Sequence, residues 1–268
     1  MNKILLIGCG HMGSALLKAW YKKTSYNFTV IDPKKYISLN RQFKNRVKAY
    51  SSIKQIDKKF FDIIIFAVKP QIIDGVMKQF IKENYNKKVL FISIIAGKKI
   101  SFFKRYLPKG FQFIRVMPNM PALIEEGMSC LVANNDTSIL NKNKSMQLFK
   151  IVGKVLFLKN EKELDKVTAI SGSGPGYYFL FIHYLEKAAK KIGFSKKISS
   201  LLVQQTALGS IKLLLNEKKS SIELANNIAI KGGTTEAALR QFKKKNKLNN
   251  IINDAVTSAY KRAIKLGK

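Results

Sequence analysis

A mostly parallel α/β domain followed by an all-α domain is the fold class predicted by this sequence of 268 residues. Three observations predict it. Up to about residue 160, short continuous apolar runs alternate with segments of helical length. The first run leads straight into a glycine turn, and from Glu161 onward runs of strand type cease.

The apolar runs are Ile4–Ile7, Phe28–Ile31, Ile63–Val68, Val89–Ile95, Phe111–Met117, Ser129–Ala133 and Val155–Leu158. They are continuous rather than alternating and rich in Ile, Val and Phe, as strands buried on both faces require. Strand, helix and strand in repetition imply parallel pairing. Beyond Glu161, the segment Gly176–Ile192 is apolar almost all round, which predicts a helix buried on nearly every side. Ser195 reads as the N-cap of a second helix with Ile198, Leu201, Leu202, Leu208, Ile211 and Leu215 as its stripe. A last helix carries Leu248, Ile251, Ile252, Ala255, Val256, Ala259 and Ala263 and stops at Gly267. The domains expected are therefore 1–160 and 161–268. A wholly apolar helix is hard to bury in so small a bundle, so the second domain is expected to dimerise or assemble further.

Lys and Arg total 49 against 16 Asp and Glu, a formal net charge of +33. Such a charge attracts anions in general, including nucleic acid and anionic membranes. It is spread in short lysine clusters such as Lys22-Lys23, Lys196-Lys197 and Lys243-Lys244-Lys245, with no Arg-rich tail and no basic stripe interleaved with aromatics. Solvated faces are the reading preferred over a specific nucleic-acid site. Cys9 and Cys130 are too few and too far apart for a disulfide framework or a Cys-based zinc site, so no metal is expected and a reducing compartment fits. The apolar run after Met1-Asn2-Lys3 is read as a first strand rather than a signal peptide. No stretch reaches the ~18 uninterrupted apolar residues of a membrane span. A cytoplasmic protein without a membrane partner is expected.

The first strand ends in Gly8-Cys9-Gly10-His11-Met12-Gly13 and leads into a helix over Ser14–Lys22. This is the G-x-G-x-x-G pattern in its strand–turn–helix setting, the mark of a Rossmann-type dinucleotide-binding domain. Gly8 permits the tight turn, Gly10 admits a pyrophosphate close to the backbone, and Gly13 lets helix and strand pack. Asp32 closes the second strand about twenty residues on, where a carboxylate would accept from a ribose 2′-OH and favour NAD. Lys34 and Lys35 follow Pro33 and could instead hold the 2′-phosphate of NADP; a turn aspartate beside two solvated lysines is the third reading.

Ala67-Val68-Lys69-Pro70-Gln71 and Ser93-Ile94-Ile95-Ala96-Gly97 fall at carboxyl ends of strands, the edge that faces the ligand in an open parallel sheet. Pro118 and Pro121 bracket Asn119, whose amide could hydrogen-bond a carboxamide or a substrate. Ser171-Gly172-Ser173-Gly174-Pro175 and Lys231-Gly232-Gly233-Thr234-Thr235 read as small-residue loops opening helices, with N–H groups suited to a carboxylate.

In this order the motifs resemble pyrroline-5-carboxylate reductase along essentially the whole chain: the glycine turn 8–13, Ala67–Gln71, Ser93–Gly97, Ile114–Ala122 with Gly127-Met128, Ala169–Pro175 and Gly232–Thr235. The resemblance implies a Rossmann domain followed by a helical domain that interleaves with its dimer mate, with dimers able to form a decamer. It implies reduction of 1-pyrroline-5-carboxylate to L-proline by hydride from NADPH, with NADH as the alternative. Gly8, Cys9, Gly10, His11, Met12, Gly13, Ala67, Lys69, Pro70, Ala96, Gly97 and Asn227 then fall at cofactor positions, beside which Val68 of the strand-end loop and Asn119 between its prolines are also taken as cofactor-binding. Glu161, Gly233, Thr234 and Thr235 fall at substrate positions, although Glu161 also reads as a carboxylate favouring a helix N-terminus. The Thr235 hydroxyl would meet the imine nitrogen, and N–H groups at Gly233, Thr234 and Thr235 would bind the carboxylate. No His or Cys is needed as general acid; His183 is expected to be a satisfied buried histidine and His11 a turn residue over the phosphates.

The chain departs from the family pattern at three places. Ile230-Lys231 stands where Ser-Pro is usual, His11 where an amide is more frequent, and Gly176 where Ala is usual. Two other readings are a 3-hydroxy acid dehydrogenase using Lys231 or Lys187, and a nonenzymatic cofactor-binding protein with a basic nucleic-acid surface.

Overall fold

A computed structural model describes residues 3–56, 61–81 and 88–267, so Met1 and Asn2 of the N-terminal lead lie outside the described residues. The chain divides into two compact units, Met1–Ser173 with Ala259–Lys268, and Gly174–Ser258.

The first unit is built on one sheet of strands β1 (Lys3–Ile7), β2 (Asn27–Ile31), β3 (Val47–Tyr50), β4 (Ile63–Phe66), β5 (Leu90–Ser93), β6 (Gln112–Met117), β7 (Gly127–Ala133) and β8 (Gly153–Phe157). Their order is β3-β2-β1-β4-β5-β6-β7-β8, and only the β6–β7 pair is antiparallel. Between and after them run helices α1 (His11–Lys23), α2 (Tyr36–Gln42), α3 (Ile73–Phe80), α4 (Ile100–Lys104), α5 (Ile139–Lys150) and α6 (Glu163–Val167).

The continuous apolar runs are explained by burial on both faces. In β1, Ile4 and Leu6 join a core with Leu16, Trp20 and Phe149, while Leu5 and Ile7 join one with Phe66, Phe91 and Phe103. Each side chain so buried contributes about 1.5–3 kcal/mol of transfer free energy. Trp20 is buried, stacks on Phe28 and donates its indole N–H to the Leu148 carbonyl at 2.8 Å, which ties α1 to α5.

Three differences from the sequence reading concern this unit. β3 was not anticipated: in Val-Lys-Ala-Tyr only Val47 and Ala49 are buried, the alternating pattern of an edge strand rather than a continuous run. β4 stops at Phe66 and β5 at Ser93, which leaves 67–71 and 94–97 as loops at the carboxyl edge. The segment 171–175 is not an open loop. Thr168–Gly172 is a π-helical turn between α6 and the next helix, and the Ser173 N–H donates to Thr168 O at 2.8 Å. A Cβ on Gly172 would approach Met117 Cε to 2.7 Å, so a larger residue there would push the Met117 side chain aside.

The second unit contains α7 (Gly174–Lys191), α8 (Lys196–Asn216), α9 (Ser221–Ile228) and α10 (Thr234–Lys243), and holds the beginning of α11 (Lys247–Leu266), whose last turns belong to the first unit. Ser195 caps α8 as expected, accepting from the Ile198 N–H. Helices α7 and α8 pack together, and the Glu186 carboxylate accepts from Ser200 Oγ and Gln204 Nε2 across them. Helix α10 opens at the Gly232–Thr235 loop as expected, whereas α9 was not anticipated; α9 opens with a capping box of Ser220 and Glu223.

The expectation that Gly176–Ile192 is buried on nearly every side fails within one chain. Tyr178 and Phe179 are 65% and 66% exposed, Leu180, Phe181, Tyr184, Leu201, Leu202 and Leu215 are exposed too, and Gly174 is the one buried residue of α7. His183 is likewise exposed, its ring edge-on to Tyr184, rather than a buried histidine. The side chains face outward because two packed helices cannot enclose an all-round apolar surface. Among the described residues α8 is also long and apolar enough, by length and composition, to cross a membrane.

Candidate cofactor and substrate site

Four parallel strands, β2, β1, β4 and β5, lie side by side, so the glycine turn, Asp32, the 67–71 loop and the 94–97 loop meet along one edge. Gly8 has φ +94°, and a Cβ there would come within 2.8 Å of Val68 Cγ1 and the Ala67 carbonyl. A Cβ on Gly13 would approach Gly8 O to 2.7 Å. The chain itself thus demands both glycines. Gly10 differs: it is exposed, and a Cβ would meet nothing within 4 Å. Glycine at an open position beside the start of α1, which no side chain caps, fits a phosphate brought against the backbone.

Asp32 is a turn carboxylate. It accepts the Cys9 N–H at 2.8 Å and the N–H groups of Lys34 and Lys35 at 3.0 Å each. Lys34 offers Asp32 its backbone, and its side chain is exposed. Lys35 is the lysine beside the glycine turn, its Nζ 3.4 Å from Ser14 Oγ. It lines a pocket of about 370 Å³ with His11, Ser14, Lys18 and Ser38. Cationic and hydroxyl groups suit a phosphate there, and of the two lysines offered for it, Lys35 is the one that lines this pocket. Cys9 is buried; burial first pushes its thiol above the ordinary range, against a lowering contribution from the Ser14 hydroxyl.

Ala67 is fixed by its N–H to Ile7 O at 2.8 Å; Val68 and Pro70 are partly buried and Lys69 is exposed. The 94–97 loop is held by Ser93 Oγ, which accepts the Ile95 N–H at 3.2 Å. Gly97 has φ +76°, and a Cβ would come within 2.6 Å of Leu266 O in the last turn of α11.

Two expected ligand groups are already engaged. Asn119 Oδ1 accepts the Met128 N–H at 2.8 Å, and Nδ2 donates to Ser171 O at 3.0 Å. It is a buried clamp between the proline loop, β7 and the π-turn rather than a free amide. Glu161 Oε1 accepts from Arg115 at 2.6 Å and from the Ile100 N–H at 2.7 Å. It does sit at a helix N-terminus, that of α4. Arg115, buried in β6, was missed because a single Arg in an apolar run carries no spacing signal; its burial was the signal, and that is a tertiary property.

In the second unit Gly232 has φ +77° and Gly233 is the N-cap of α10. The Gly233 N–H donates to Ile230 O at 3.0 Å, so it is engaged within the turn, contrary to the expectation that it serves a carboxylate. Thr234 and Thr235 form the first turn of α10, at its positive end. Glu236, also missed, accepts the Gly232 N–H at 2.9 Å and lies 3.5 Å from Arg240. Lys231 and Asn227 are exposed.

The family described as pyrroline-5-carboxylate reductase dimerisation matches residues 161–266, and that described as NADP oxidoreductase, coenzyme F420-dependent, matches residues 3–97. The pyrroline-5-carboxylate reductase of Pasteurella multocida is 34% identical over 272 residues, covering 100% of this chain and 98% of its own. The chain belongs to the pyrroline-5-carboxylate reductase family. Solved members share its fold: that of Coxiella burnetii superposes with a TM-score of 0.90 at 29% identity, covering 100% of this chain and 99% of its own. The Plasmodium falciparum pyrroline carboxylate reductase, crystallised with NADP bound, gives 0.85 at 29% identity, covering 100% and 98%. The Rossmann and helical halves of the family are both present, and the exposed faces of α7 and α8 lie within the dimerisation match.

Proposed function

We propose that this chain reduces 1-pyrroline-5-carboxylate to L-proline by hydride transfer from NAD(P)H. The observation that carries the reading is the open Gly10 turn, held by Asp32 and followed by the loops at 67–71 and 94–97, in a chain similar over its full length to reductases of that name. Residues 1–160 serve as the cofactor domain and 161–268 as the helical dimerisation and substrate domain. NADPH is the preferred donor: the carboxylate that would serve a 2′-OH is engaged by three backbone amides, and Lys35, Lys18 and Ser14 surround the neighbouring pocket. The NADP-bound Plasmodium relative supports the same choice.

The cofactor supplies the hydride. The chain binds and orients: Gly8–Gly13 cradle the pyrophosphate, with Ala67, Val68, Lys69, Pro70, Ala96 and Gly97 along the same edge. Asn227 reaches toward the nicotinamide nucleotide. Thr234 and Thr235 N–H groups take the substrate carboxylate, and the Thr235 hydroxyl hydrogen-bonds the imine nitrogen, which accepts hydride best when protonated. The exposed apolar surface of α7 and α8 is covered by a second copy, and dimers assemble into a decamer in the cytoplasm.

The test is loss of reduced-nicotinamide absorbance with 1-pyrroline-5-carboxylate, run with NADPH and NADH in parallel. Imine-dependent oxidation with proline as product supports the reading; cofactor binding without it sinks the reading.

A further inference from the structure

Glu161 lies sixty-one residues after Ile100 in sequence, yet its carboxylate takes the first N–H of α4 at 2.7 Å. Lys99, the N-cap residue of that helix, makes no side-chain cap of its own. The same Oε1 takes Arg115 at 2.6 Å, and the Arg115 side chain is 7% exposed. Arg115 stands opposite Ser93 across the β5–β6 pair, and Ser93 Oγ holds the Ile95 N–H. The loop 94–100 is thus pinned at its start by Ser93, in its middle by the close approach of Leu266 to Gly97, and at its end by Glu161. An ion pair with a buried arginine is costly to assemble unless its remaining groups are hydrogen-bonded, and here the hydrogen bond of the partly buried Glu161 reaches this loop.

We propose that Arg115 and Glu161 are a positioning pair for the cofactor loop: Arg115 fixes the Glu161 carboxylate, and Glu161 fixes the Ile100 amide, so that Ala96 and Gly97 are held ready before the cofactor arrives. The bonds of Glu161 run to Arg115 and to the Ile100 amide, so the role assigned to the pair is positioning. Its assignment rests on the proposed function only in taking NADPH as the ligand of this loop. Holding a loop in its bound conformation lowers the ordering cost of binding, so the effect falls on cofactor affinity.

Two variants of the full chain separate positioning from bulk stability. Ile100→Pro removes the N–H, with Ile100→Val as the control for the side chain that packs on the core; proline suits the first helical position, and Lys99 already has the extended backbone, φ −77° and ψ 160°, that precedes proline well. Glu161→Gln keeps an acceptor and removes the charge. Both are expected to raise the NADPH dissociation constant, read from nicotinamide fluorescence without imine, by about tenfold, the scale of one charged hydrogen bond. The KM for the imine should move less than twofold, and Arg115→Lys should fall between wild type and Arg115→Met. An unchanged NADPH dissociation constant in folded Ile100→Pro would overturn the proposal, whatever its melting temperature. Hydrogen exchange of residues 94–104 in the wild type gives a second decision. Slow exchange without cofactor supports the pair, and fast exchange slowed only by NADP overturns it. Wild type that binds NADPH but reduces no imine would remove the proposed function and leave this inference standing; wild type that binds no NADPH would remove both.

Discussion

Asp32 accepts the backbone N–H of Cys9 at 2.8 Å, which fastens the end of β2 to the glycine turn. Its other oxygen takes the amides of Lys34 and Lys35. The residue that sequence spacing offers as a ribose ligand is therefore also the keystone of the turn.

Lys35→Met is expected to weaken NADPH binding about fivefold to tenfold and leave NADH unchanged, because one charge-assisted contact to a 2′-phosphate is lost. The loss should shrink at high salt, since Lys35 is only partly buried. Lys34→Met, at an exposed side chain, should do far less. Parallel titrations with both coenzymes decide it; equal losses for NADH would refute the role.

Thr235→Ala is expected to lower turnover by about 1–3 kcal/mol in transition-state stabilisation, with cofactor affinity nearly unchanged. Lys231 makes the contrast. It is exposed four residues earlier, so Lys231→Met should leave the imine KM unchanged even at low ionic strength, and Lys231→Pro should be neutral or mildly stabilising. Steady-state kinetics at two salt concentrations read both.

A fragment ending at residue 160 removes Glu161 and leaves Arg115 buried without its partner, whereas one ending at residue 173 keeps the pair. Removing one member of a pair buried on the arginine side is destabilising, because it leaves a desolvated charge without its partner. The longer fragment should melt higher and stay soluble to higher concentration, and thermal denaturation of the two compares them directly. Equal melting would show that the pair does not hold the unit together.

Phe181→Glu and Leu201→Glu place charges on the exposed apolar faces of α7 and α8. Each is expected to shift the protein from dimer or larger assembly to monomer in light scattering, and to abolish turnover. Wild-type assembly in both variants would mean that these faces meet no second copy.

Much of the first unit could be read from sequence because its signals are local or periodic. β1 shows burial on both faces as an unbroken Ile4–Ile7 run, and Gly8 and Gly13 are glycines because a Cβ at either would strike neighbouring backbone. Ser195 announced α8 by cap chemistry alone. β3 escaped because an edge strand buries only every second residue, and α9 escaped because no buried stripe marks it, whereas the glycine loop before Thr234 announced α10.

What the sequence by itself determined was the order of elements, the glycine turn and the candidate residues, since these follow from side-chain type and spacing. What only the tertiary structure decided was which polar groups were already engaged. Asp32, Asn119 and Glu161 each look like free ligands in the string, yet each meets backbone or side-chain partners brought from at least nine residues away in sequence. A buried polar group must be satisfied by whatever the fold places beside it, and that neighbour is set by packing rather than by adjacency in sequence.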